Sequence, residues 1–346
     1  MNSPKNILIV RTDRIGDVVL SLPIASTIKK HYPECRISFL LRDYTKALAE
    51  NNPFIDEIIT LEEKGGKISI PANVSKIKNK FDACIVAFPT FPIALILFIS
   101  GIPIRIGTGY RWYSFLFNKK VYEHRKYGEH HELEYNIRLL QHLDINEDIT
   151  GKNVSFGIGV SEESKEKISN DLKFLGVDQK DPIIIFHPGS GGSAADLPAM
   201  KMKELVGLLC KLPARILITG SGSEKELCKE MTVNNKAINV AGKFDLRELI
   251  ALIDRSSILI ANSTGPIHIA SALGKHVIGF YPKITACSPK RWGPYTEKKI
   301  VYQPSIECSN CTTKQCKELD CMSSINVEEV AVSVKNVLNV ILQEKK

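Results

Sequence analysis

The chain has 346 residues, 44% of them hydrophobic and 24% charged, with a formal charge of +8 and a pI of about 8.9. Scattered Gly and Pro among abundant apolar residues exclude a fibrous or disordered chain, and the length exceeds what one hydrophobic core ordinarily serves, so two domains are expected. The positive surplus asks for an anionic partner without naming it.

Residues 6–10, Asn-Ile-Leu-Ile-Val, read as the buried first strand of a parallel sheet. The apolar run is too short for an export leader, and Arg11 follows it at once, so a cytoplasmic protein with reduced cysteines is expected. The turn 11–17, Arg-Thr-Asp-Arg-Ile-Gly-Asp, leads into a helix that runs to residue 21 and, past Pro23, to residue 30. Asp17 at its start either caps the helix or serves as a general base, and on spacing alone the cap is the simpler reading. Asp13 is a second carboxylate in the same turn.

Apolar runs at 36–41, 57–60 and 83–87 alternate with amphipathic stretches, which implies parallel βαβ units with right-handed crossovers. Residues 83–104 carry no charge over nearly a spanning length, but Pro89, Pro92 and Pro103 break them. A core helix over 93–100, or one resting on a bilayer surface, is expected there rather than a transmembrane segment. Beyond it Arg105, Arg111, Lys119, Lys120, Arg125 and Lys126 stand against one acid, Glu123, with Tyr110, Trp112, Tyr113 and Phe115 interleaved. Such a stretch suits a phosphorylated or carboxylated acceptor, nucleic acid, or plain solvent.

The seam lies between residues 157 and 181, which hold a charged helix (162–175) and a polar break (176–181). The expected division is 1–176, 177–326 and a closing segment, 327–346, carrying a last helix. The second half opens like the first: strand 182–186, then His-Pro-Gly-Ser-Gly-Gly-Ser at 187–193, whose Ser190 and Gly191 sit in a turn able to cradle phosphate. The turn is neither a Walker A loop nor a dinucleotide fingerprint. Strands follow at 214–219, 237–240, 258–261 and 276–280. Glu224, after Gly-Ser-Gly-Ser, could bond ribose hydroxyls or simply start a helix. Ser263, Thr264 and Gly265 precede a helix over 267–273, a place that favours a diphosphate but equally suits an ordinary cap. Cys308, Cys311, Cys316 and Cys321 could close a zinc site or remain thiols. No D-x-D pair occurs, so a metal-bridged diphosphate is not signalled. Ligands of such sheets bind beyond the carboxyl ends of the strands, and with two facing domains the expected site is the cleft between them.

Taken together, these residues resemble glycosyltransferase family 9, the ADP-heptose:lipopolysaccharide heptosyltransferases. The resemblance rests on R-x-x-x-x-G-D with S-L-P at 11–23, and on His-Pro-Gly-Ser-Gly-Gly-Ser with Asp196-Leu-Pro. It also rests on Gly-Ile-Pro-Ile-Arg-Ile-Gly at 101–107, Asn-Ser-Thr-Gly-Pro-Ile-His-Ile-Ala-Ser-Ala-Leu-Gly at 262–274, and the cysteine run ending Cys321-Met322. It spans residues 6–337. It implies an α/β fold of GT-B type, two Rossmann-like domains facing each other across a cleft. It further implies inverting transfer from an ADP-heptose-like donor, with no metal and no cofactor, to an anionic glycolipid acceptor, a lipopolysaccharide core, at the inner membrane face. Nucleic acid is not an implied partner. Asp17 becomes the implied base. Ser190, Gly191, Glu224, Ser263, Thr264, Gly265 and His268 fall on the donor side, and Arg11, Asp13, Arg105 and Arg111 on the acceptor side. Two positions depart from the family pattern: Ser263 stands where the better-known members have Asp, and Ala195 where many carry Lys or Arg, with Lys201 nearby. The donor sugar is therefore open. A nucleotide-sugar epimerase of the same architecture and a binding relative that has lost catalysis stay as alternatives.

Overall fold

The computed structural model describes residues 4–232, 236–306 and 311–344. The chain divides into two compact units: residues up to Arg125 with His130–Gly159, and Lys126–Glu129 with the residues from Val160 on.

In the first unit β1 (Asn6–Val10), α1 (Ile15–Val19), α2 (Pro23–His31), β2 (Arg36–Leu41) and β3 (Glu57–Thr60) are followed by a small hairpin, β4 (Glu63–Lys64) and β5 (Lys67–Ile68). Then come α3 (Ile70–Ile77), β6 (Ala83–Val86), α4 (Phe91–Ile99), β7 (Ile104–Thr108), β8 (Lys119–Val121) and α5 (Glu132–Arg138). The sheet order is β3-β2-β1-β6-β7-β8, every neighbour parallel. Helices cover both faces of the central strands, so the four apolar residues of β1 are wholly buried and the strand reads as a continuous hydrophobic run.

The second unit repeats the plan. It contains α6 (Glu162–Phe174), β9 (Ile183–His187), α7 (Ala199–Leu209), β10 (Arg215–Ile218), α8 (Lys225–Glu230), β11 (Ala237–Asn239) and α9 (Leu246–Arg255). These are followed by β12 (Ile258–Asn262), α10 (Gly265–Ala272), β13 (His276–Phe280), α11 (Pro289–Trp292), β14 (Lys299–Tyr302), α12 (Thr313–Glu318) and α13 (Val327–Glu344). Its order, β11-β10-β9-β12-β13-β14, is again all parallel. Each sheet reverses its winding direction beside its first strand, between β1 and β6 and between β9 and β12. That is where open α/β sheets bind ligands.

The helix expected over 162–175 packs on α9 and belongs with the second sheet, so the contacts divide the chain after Gly159, ahead of 176/177. The basic stretch 105–126 is not one loop, since it starts in β7 and passes through β8. Of the four clustered cysteines, Cys308 lies outside the described residues, while Cys316 and Cys321 are buried in the second core. Among the described residues no group of three His, Cys, Asp or Glu is placed to hold a metal ion, and no helix is long and apolar enough to cross a membrane.

In α13, Val327, Val330, Val334, Leu338 and Ile341 recur at helical spacing on one buried face, which packs on α7. Leu338→Ala is expected to destabilise the second unit by about 2–4 kcal/mol, read as a lower urea midpoint with an unchanged slope.

Candidate functional site

Beyond the carboxyl end of β1, Arg11 is 2% exposed. Its Nε and one terminal nitrogen bind both oxygens of Asp13 (2.7 and 2.9 Å), and the same nitrogen binds Asp17 Oδ1. The other terminal nitrogen reaches Glu132 Oε1 and Asn136 Oδ1, both at 3.4 Å. Burial by itself would lower the Arg11 pKa, but Asp13, Asp17 and Glu132 outweigh it and hold the guanidinium charged.

Asp17 sits in the first turn of α1, where the helix start favours a negative charge. Even so, its carboxyl is raised to about 6. Burial is the largest cause; Asp13 and Glu132 add repulsion, and Arg11 opposes both. The side chain is largely buried yet keeps some exposure. A carboxylate poised near neutrality is what a general base requires. The cluster is braced by α5. Asn136 donates to Leu20 O and Ser21 Oγ (both 3.1 Å), and Arg125 binds Glu132 and, at 3.1 Å, Asn136. Tyr44 donates its hydroxyl to Asp13 O, and the Arg11 guanidinium lies 5.9 Å from the centre of the Phe88 ring.

In the second unit the turns after β9, β10 and β12 are tied together. Asn262, at the end of β12, donates to Pro188 O (2.6 Å) and accepts from Leu197 N (2.9 Å). His187 Nδ1 bonds Thr219 Oγ1 at 2.9 Å, and burial pushes this imidazole down to about 4 despite the Glu224 charge nearby, so it is neutral at pH 7. Glu224 closes a capping box with Ser221, taking bonds of 2.8 Å from its N–H and its hydroxyl, and accepts from the Gly191 N–H. Burial would raise its carboxyl, but these bonds and His187 leave it below the usual range. A side-chain carbon at Gly189 would overlap Glu224 Oε1, and Gly191 and Gly192 adopt φ of 58° and 77°, so this turn needs its glycines.

The Ser190 hydroxyl is buried with no hydrogen-bond partner, an arrangement uncommon enough to need a reason. Thr264 is the N-cap of α10 but makes no side-chain cap bond, whereas Asp245 caps α9. The α10 N-terminus therefore presents backbone donors that the Thr264 side chain does not cap. Ser263 bonds the buried Tyr281 hydroxyl, which also donates to Trp292 O at 3.0 Å. His268 is buried in α10.

Asp13 and Asp17 thus share one cation, and Ser190, Gly191 and Glu224 share one pair of turns. Arg11, expected on the acceptor side, is instead buried inside the carboxylate cluster, because its donors are taken up by Asp13, Asp17, Glu132 and Asn136. Arg105 spends its guanidinium on the Leu116 carbonyl (2.8 Å) and the Ile102 carbonyl. Arg111 is exposed. Ala195 lies in the second core, and Lys201 pairs with Glu204 at 3.8 Å. Glu132, Asn136 and Asn262 belong to the site without a signal of their own in the sequence: Glu132 and Asn136 lie in an unremarkable helix more than a hundred residues from Arg11, and Asn262 is the first residue of the Asn-Ser-Thr-Gly-Pro-Ile-His motif.

Residues 73–322 match the sequence profile of glycosyltransferase family 9 (heptosyltransferase). The chain belongs to that family. A glycosyltransferase-like protein of Haemophilus influenzae is 30% identical over 87% of this chain and 89% of its own length. The lipopolysaccharide heptosyltransferase 3 of Escherichia coli K12 is 28% identical over 83% and 84%. The solved E. coli ADP-heptose lipopolysaccharide heptosyltransferase II matches with a TM-score of 0.79 at 21% identity, covering 99% of this chain and all of that one, a likeness of fold. This family 9 protein is a glycosyltransferase, and its two Rossmann-like domains make it a GT-B protein.

Because burial and like charges raise the Asp17 carboxyl, ionising it opposes folding: stability falls as pH rises from the ordinary carboxylate range to about 6, then levels. Asp17→Asn is therefore expected to gain about 1–3 kcal/mol relative to wild type over that window, and nothing further above it. Urea titrations at several pH values test this, and a difference independent of pH would refute it.

Proposed function

We propose that this protein transfers heptose, or a closely related sugar, from an ADP-sugar to a lipopolysaccharide core acceptor, with inversion and without a metal. The observation that carries the reading is the raised Asp17 carboxyl held at Oδ1 by Arg11. Family membership supports lipopolysaccharide heptose transfer, and the name of the matched E. coli structure supports an ADP-linked donor.

In the proposed step an acceptor hydroxyl attacks the anomeric carbon from the face opposite the diphosphate. Its proton passes to the Asp17 carboxylate as the bond from carbon to the diphosphate oxygen breaks, and ADP departs with the electron pair. Arg11 orients the base at the cost of some basicity, and Asp13 and Glu132 restore it through repulsion. Departing ADP is received by the α10 N-terminus at Thr264 and Gly265, with the unpartnered Ser190 hydroxyl on a phosphate oxygen. Glu224 meets the ribose through the carboxylate edge not engaged by Ser221. With Ala195 in the position of the family's cation, the negative charge is met mainly by these fixed dipoles. Arg111 contacts the acceptor's anionic groups, and the acceptor is presented at the inner face of a membrane.

Asp17→Asn is expected to lower transfer by about 10²–10⁴-fold with ADP affinity kept, measured by product formation and by calorimetry. Wild-type kcat/KM is expected to fall below a pH of about 6, where the base is protonated, and rate should be insensitive to EDTA. Full activity of the Asn variant would remove Asp17 as the base.

A further inference from the structure

The geometry points to a lipid-docking surface on the first unit, built from the outward face of α4 and the β7–β8 connection and fitted to an anionic bilayer. The proposal adds the surface to the reading above, and rests on it only for the presence of a membrane-bound acceptor.

Helix α4, Phe-Pro-Ile-Ala-Leu-Ile-Leu-Phe-Ile, is apolar on every side. Such a helix belongs in a core or against lipid. One side is in a core: Ile93, Ala94, Ile96 and Leu97 are buried. The other is not. Phe91, Leu95 and Phe98 follow one another at i, i+4 and i+7 with Ile99 beside them, and Phe91, Phe98 and Ile99 are exposed, Phe98 by 50%. The β7–β8 connection adds to this face. Trp112, 73% exposed, stacks on Phe91 with ring centres 4.8 Å apart, and Phe115, 67% exposed, sits on the short turn that contacts α4. Nine helical residues span about 13 Å, far short of a bilayer core of about 30 Å, so α4 could only lie in the interface.

The charge along this stretch of the chain has one sign. Residues 83–122 contain no Asp or Glu, while Arg105, Arg111, Lys119 and Lys120 all fall within them. The Arg105 guanidinium lies 5.3 Å from the centre of the Phe98 ring, and Lys119 and Lys120 form the edge strand β8. Bulky exposed apolar side chains in a stretch that carries cations and no acid are what an anionic lipid surface binds; a protein partner of ordinary composition would not need the acids to be absent. The strip also adjoins the carboxylate cluster. Phe88, three residues before Phe91, carries the Arg11 guanidinium against its ring. An acceptor whose lipid lies in the bilayer would therefore present its sugars beside Asp17.

The test is co-sedimentation of the full chain with vesicles of pure phosphatidylcholine and of equal parts phosphatidylcholine and phosphatidylglycerol, with no donor or acceptor present. Wild type is expected to bind the anionic vesicles, and to release from them as salt rises. The triple variant Phe98→Ser, Trp112→Ser, Phe115→Ser is expected to bind at least about tenfold more weakly. Lys119→Gln with Lys120→Gln should lose on the order of tenfold on anionic vesicles only, and serves if the triple variant misfolds. Transfer to a delipidated, water-soluble acceptor should be unchanged in both variants, so the docking surface and the transfer reaction can fail separately. Equal binding to both vesicle types, undiminished binding by both variants, or a dimer of wild type that the triple variant abolishes would overturn the proposal.

Discussion

Arg11 carries a charge that water cannot reach, at the end of the central strand of the first sheet, so its desolvation must be offset by the groups packed on it. Three carboxylates and an amide surround one guanidinium, and they come from three parts of the fold: Asp13 from the turn, Asp17 from α1, Glu132 and Asn136 from α5. The cation fixes where these carboxylates stand, and burial in that packed cluster, with the repulsion of Asp13 and Glu132 added to it, gives Asp17 its raised affinity for a proton. Position and basicity thus have one origin. A lone Asp on a helix start would be placed but unreactive, since helix dipole and solvent both keep its carboxyl acidic.

The second unit shares the sheet order of the first but assembles its turns differently. Neutral groups and one acid at the rim replace the buried ion cluster: the Asn262 amide bridges two turns, the uncharged His187 pairs with Thr219, and Glu224 takes its bonds from Ser221 and Gly191. No buried cation is needed to arrange these turns. That suits a site proposed to receive a diphosphate through helix-terminal N–H groups.

The alternation of strands and helices was legible because central strands such as β1, β9 and β12 are buried on both faces and therefore appear as unbroken apolar runs. Among the edge strands, β3 and β11 were legible, while β8, two lysines and a valine, looks like a basic loop. Candidate residues next to glycine turns, such as Asp17, Ser190 and Glu224, stood out because the turn itself has a sequence signature. Glu132 had none: its importance comes from α5 folding back onto α1, a tertiary event that no local spacing records. For the same reason Arg11 was expected on the acceptor side, and only the packing of α5 and the β1 turn turns it inward.

Helix α13 covers α7, although some hundred and twenty positions of sequence separate them. The face of α7 that meets α13 thus has no cover until residues from Val327 onward have been made. During synthesis the first sheet has all its strands by Val121, whereas the second must wait with an open greasy flank. Vectorial translation therefore gives the two halves unequal lifetimes as unfinished domains, and the later half is the one that needs shelter from self-association.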